Sequence, residues 1–102
     1  MKLVYTDDAL QDLDEIFSFL ADQYPSIIDP VETRIREVMS QIADWPESKP
    51  RLDDRSDVRV AFLGKYPYRI FYRADGRQIT ILHVHHTARL HGVRPSDRSA
   101  DN

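Results

Sequence analysis

The chain contains no cysteine, which excludes disulfide staples, a thiolate nucleophile and thiolate metal sites together. It also lacks any apolar run approaching the ~18 residues that a membrane span requires, so no membrane partner is expected. The opening residues, Met-Lys-Leu-Val-Tyr, are not a basic segment leading into a long apolar stretch, and a soluble cytoplasmic protein is the default expectation. Internal repeats and low-complexity tracts are absent as well. With 102 residues the chain has ordinary single-domain size, leaving no room for a second core, so one active or binding surface is expected. We place the domain at residues 1–91 and read residues 92–102, hydrophilic apart from Val93, as a polar tail.

What is present is a division of charge that the net value of −3 conceals. Residues 1–57 carry six Lys/Arg against fourteen Asp/Glu, a net of −8, whereas residues 58–102 carry eight against three, a net of +5. All four histidines, His83, His85, His86 and His91, fall in the positive part. The field of the molecule should therefore be dipolar. The acidic part reads as solvated helical surface, while the arginines of the positive part lie on predicted strands whose geometry can align them.

Hydrophobic spacing divides the chain into six elements. Lys2 to Tyr5 is a short strand candidate. Thr6 can cap a helix whose first turn holds Asp7 and Asp8, favourably placed at the positive end of the helix dipole. Leu10, Leu13, Ile16, Phe17, Leu20 and Tyr24 then recur at steps of three and four, predicting one buried stripe that ends before Pro25. Asp29-Pro30 predicts a restart, with Asp as cap and Pro at the first helical position. Val31, Ile35, Val38, Met39 and Ile42 form a second stripe that closes near Trp45-Pro46. A polar loop follows over residues 47–57. Strands are then expected over residues 58–62, 66–73 and 79–85, with Gly64 in one turn, Asp75-Gly76 in the next and Pro67 at a strand start. The fold class is thus α+β in the order β-α-α-β-β-β, a helical hairpin packed on one face of an antiparallel sheet.

The last hairpin is the most informative stretch. In a strand alternate side chains share a face, so Arg69, Phe71 and Arg73 lie on one side and Tyr68, Ile70 and Tyr72 on the other. An apolar face can cover the helices, leaving the opposite face to offer guanidinium groups, His85 or His86, and Arg89 to an anionic or protein partner. His83 and His85 also share a face and could hold a metal. A histidine pair without cysteine or a nearby carboxylate is a weak signal, so neither metal nor cofactor is expected.

The run Gly64…Tyr68-Arg69-Ile70-Phe71-Tyr72, followed by Ile81-Leu82-His83-Val84 and His86-Thr87-Ala88-Arg89, resembles the ParE/RelE superfamily of toxins from type II toxin–antitoxin systems. Ala9-x-x-Asp12-Leu13-x-x-Ile16 and Trp45-Pro46 are similar to that superfamily too, and the resemblance spans Lys2 to about Arg89. It implies two mechanisms on one scaffold, since RelE-like members cleave messenger RNA in the ribosome and ParE-like members poison DNA gyrase without a nuclease centre. Under the nuclease reading Arg69 and Arg89 would stabilise charge on the phosphorane, and His86 or His85 would move protons. RelE-like nucleases, however, carry lysines near the sheet and an aromatic or histidine after the final arginine. Here the preceding loop, Pro46-Glu47-Ser48-Lys49-Pro50-Arg51-Leu52-Asp53-Asp54, mixes signs and holds one lysine, and after Arg89 comes Leu90-His91-Gly92, with no tyrosine following. Overall acidity also opposes a ribosome binder.

The resemblance therefore points to a ParE-like gyrase inhibitor. Expected target-binding residues are Arg59, Arg69, Arg73, His85, His86 and Arg89. The plainer alternatives are an Arg69 neutralised by Asp57 or Asp75, a His86 that caps the strand end, and tyrosines Tyr66, Tyr68 and Tyr72 that pack rather than stack on bases. Kinship further implies a cognate antitoxin that lays a helix or strand into apolar grooves, and contact with operator DNA only through it. Phe19 projects about 120° from the buried stripe, and with Ile27 and Ile28 it is the expected antitoxin-binding patch. A non-toxic family member that only binds its antitoxin is the remaining alternative.

Overall fold

In the computed structural model, which describes residues 1–87, β1 (Lys2–Tyr5) leads into α1 (Asp7–Gln23) and, through a single 3-10 turn (Pro25–Ile27), into α2 (Ile28–Asp44). Three strands complete it, β2 (Val58–Phe62), β3 (Tyr68–Ala74) and β4 (Gln78–His86). The sheet order is β1-β4-β3-β2. The order of elements and the α+β class are those predicted, with one correction: β1 pairs parallel to β4, so the sheet is mixed. The two helices together with β2 and β3 make up the long connection between this parallel pair.

Thr6 explains how α1 is aimed. Its Oγ1 accepts from the Ala9 N–H (3.0 Å), capping the helix, and donates to the Leu82 carbonyl (2.9 Å) on β4. One hydroxyl thus starts the helix and ties it to the sheet. Ala9, Ile16 and Leu20 are buried, with Leu13 and Phe17 packed against them. Leu10 and Tyr24 are 53% and 56% exposed, against expectation. Leu10 lies about 100° round from Ala9, and Tyr24 is the C-cap (φ −144°), where the chain has already left the helix. The whole predicted stripe of α2 is buried.

α2 begins earlier than Asp29-Pro30 predicted. Ile27 is its N-cap with no side-chain bond, and Asp29 and Pro30 sit inside the first turn. Proline is tolerated there because first-turn N–H groups lack an intrahelical acceptor. The 3-10 turn folds Ile27 and Ile28 against the core, so they are half-buried rather than an open docking row.

On the inner face of the sheet Tyr68, Ile70, Tyr72, Ile79, Ile81 and Val84 meet the helices. The Tyr72 hydroxyl donates to the Pro46 carbonyl (2.6 Å), and Arg59 donates to the carbonyls of Lys49 (2.6 Å) and Glu47 (3.3 Å). Burial raises the Tyr72 pKa, opposed by the Arg59 charge. At the hairpin tip Gly76 (φ 92°) supplies the left-handed residue, and Asp75 Oδ1 accepts from the N–H groups of Gln78 and Arg77, both at 3.0 Å.

Register decides which histidines reach which face. Tyr72 pairs with Ile81 but its neighbour Phe71 pairs with His83, so Leu82 is an extra residue on β4 and forms a bulge. Strict alternation from Ile81 would point His83 and His85 inward. The bulge turns both to the outer face and places Val84 and His86 on the inner one.

Candidate functional site on the outer face of the sheet

Arg69 stands opposite Phe62 on β2 and opposite His85 on β4, and Phe71 lies opposite His83. The Arg69 guanidinium carbon lies 5.4 Å from the Phe71 ring centroid and 5.9 Å from that of Phe62, within cation–π range of both. Its Nε is buried and has no hydrogen-bond partner among the described residues. Burial lowers its pKa from the ordinary guanidinium value, yet arginine stays charged in proteins. Neither expected carboxylate neutralises it. Asp57 pairs with Arg73 Nε (3.0 Å), and the Asp75 carboxylate is taken by its own turn, where the Gln78 and Arg77 N–H groups hold its pKa below the ordinary value.

Of the other predicted target contacts, His85 joins Arg69, its ring 5.2 Å from Phe71 and 4.9 Å from His83. Arg73 shares the face but carries an exposed ion pair, which stabilises the fold little. Arg59 points to the inner face, opposite Tyr72, and is held by loop carbonyls; it is a structural residue here, not an open contact. His86 pairs with Tyr68, the rings T-shaped at 5.2 Å, on the face opposite to Arg69. Arg89 lies outside the described residues. Phe19 is 45% exposed, and its ring lies 6.0 Å from Tyr24 rather than beside an open Ile27–Ile28 row.

The sequence reading missed Asp12 as part of this region. β1 stops at Tyr5 opposite Ile81, leaving the β4 edge unpaired beyond that point. Asp12 Oδ2 covers it, accepting from the Val84 N–H (3.0 Å) and lying 3.2 Å from His83 Nδ1. The available signal was an acidic residue on the flank of the buried stripe, next to Ala9 and Ile16. Asp12→Ala leaves that amide without its acceptor and is expected to lower stability by about 1–3 kcal/mol, read as a shift in the urea midpoint. Asp12→Asn keeps an acceptor oxygen and should recover most of the loss.

No curated protein sequence matches the chain significantly. Among solved structures it is similar to one described as the chromosomal ParDE TA system from P. aeruginosa, with TM-score 0.69 and 24% identity over 84% of this chain and 95% of that one. YafQ from E. coli follows with TM-score 0.61 and 11% identity over 89% and 98%. A YoeB/ParE toxin from Agrobacterium tumefaciens gives 0.56 and 16% over 84% and 98%. At these identities the structures establish the shared fold. The family model for the ParE toxin of type II toxin–antitoxin systems, parDE, matches residues 3–91, nearly the whole of the helical pair and sheet described above, and the chain therefore belongs to that toxin family.

Proposed function

We propose that this toxin acts by binding DNA gyrase through the outer face of its sheet, without catalysing a reaction. The supporting observation is the Arg69 cluster, in which a guanidinium within cation–π range of both Phe62 and Phe71 stands opposite His85. Aromatic and arginine side chains clustered on one open face are what strong protein-binding sites are made of. A nuclease would need a proton donor or acceptor converging with Arg69 on one phosphate. The register puts His86 on the face opposite to Arg69 and leaves His85 beside it, so a nuclease reading would have to rest on His85 in place of His86.

In this reading Arg69 and Arg89 make the principal target contacts, with Arg73 and His85 beside Arg69 on the outer face. Family membership implies an antitoxin partner; the exposed Phe19 and Tyr24 pair is our candidate for its docking point. Operator DNA is reached through the antitoxin alone, and the cytoplasm is where gyrase is met. The described residues contain no helix long and apolar enough to cross a membrane.

The test is a gyrase supercoiling assay run beside cell-free translation. Supercoiling should fall with added toxin, translation should continue, and equimolar antitoxin should restore gyrase. Arrested translation with cut message and unaffected gyrase would replace this reading with the nuclease one. Indifference of both systems to soluble, folded protein would leave a family member that only binds antitoxin.

A further inference from the structure

Asp12, His83 and His85 each offer one ligand atom, and these atoms all lie within 4.8 Å of one another. We propose that the three form a binding site for a divalent transition metal of the zinc and nickel class, independent of the gyrase reading. The absence of a carboxylate was the reason to expect no metal at the histidine pair. The fold supplies one from α1, some seventy positions earlier in the chain.

Several features favour a cation here. Two imidazoles at i and i+2 on one face of β4 are held by a paired strand, their ring centroids 4.9 Å apart. Asp12 is fixed by the Val84 N–H through Oδ2, while Oδ1 makes no bond among the described residues. The Asp8 carboxylate lies 4.0 Å from His83 Nε2, so two carboxylates border the imidazoles. Arg69, across from His85, is the opposing charge and keeps the expected affinity moderate. Tetrahedral zinc with bonds of about 2.0–2.2 Å places its ligand atoms about 3.3 Å apart. The three side chains are half-buried, and their separations of at most 4.8 Å exceed that spacing by no more than about 1.5 Å, which side-chain rotation can close. Two nitrogens and one carboxylate oxygen suit zinc, nickel or copper rather than magnesium or calcium. Bound metal would join α1 to β4 and cover the His85 end of the outer face.

The experiment takes the full chain, stripped with a chelator, and titrates it with zinc chloride by calorimetry, thermal unfolding and imidazole nitrogen NMR. One zinc per chain, shifts at His83 and His85, a rise in melting temperature from linkage and no response to magnesium are expected. His85→Ala and Asp12→Asn should each weaken zinc binding by about 10-fold or more, and His86→Ala, on the opposite face of the sheet, should not. Unchanged zinc affinity in His85→Ala would overturn the site. So would the absence of heat and imidazole shifts in the parent at millimolar zinc. If Asp12→Asn fails to fold, His85→Ala decides alone, because its ring faces outward from the core.

Discussion

Arg69→Ala is expected to abolish growth arrest on induction while leaving the melting temperature within a few degrees of the parent. The separation follows from the side chain's surroundings. No carboxylate among the described residues pairs with Arg69, its Nε is unbonded among them, and its guanidinium lies over the rings of Phe62 and Phe71. Cation–π contacts stabilise by about 0.5–1 kcal/mol when exposed and by about 2 kcal/mol when desolvated, an amount offset in part by relieving the partly desolvated guanidinium. Arg69→Lys keeps the charge and loses the plane, so partial toxicity is the expected result. Cell viability and gyrase inhibition read the function, and thermal unfolding reads the fold. Full toxicity in the alanine variant would remove Arg69 from the active surface. Loss of toxicity together with a large drop in melting temperature would make it a structural residue instead.

Ile81→Ala is expected to destabilise the domain by about 2–5 kcal/mol, the larger of the two effects on the fold. Ile81 is fully buried on β4, the strand between β1 and β3, with Tyr5 and Tyr72 as its register partners. Truncation opens a cavity where strands on both sides and α1 converge, and sheet pairing prevents the walls from collapsing into it. Small domains are stable by about 5–15 kcal/mol, so much of the folded margin would be lost. Urea denaturation measures it directly, and a change below about 1 kcal/mol would show that the site repacks.

Most elements were legible because their signals are local. The α2 stripe, the Thr6 cap and the alternation of Tyr68, Ile70 and Tyr72 each depend on residues a few positions apart. The misses share the opposite character. Leu10 and Tyr24 have apolar side chains at plausible spacing, but helix rotation and the end of α1 expose them. Ile27 and Ile28 read as a loop patch because the 3-10 turn that folds them inward carries little sequence signal. Arg59 looked like its neighbours on the cationic strands; the carbonyls that bind it come from a loop whose path spacing does not predict.

Composition and periodicity alone determined a cysteine-free α+β domain with a helical pair, a set of strands and a cationic, histidine-rich end. They did so because burial patterns and charge are properties of the chain itself. Tertiary structure decided the parallel placement of β1, the bulge at Leu82 that turns His83 and His85 to the outer face, and the meeting of Asp12 with His83. Each depends on register between segments distant in sequence, where a shift of one residue reverses the face a side chain occupies.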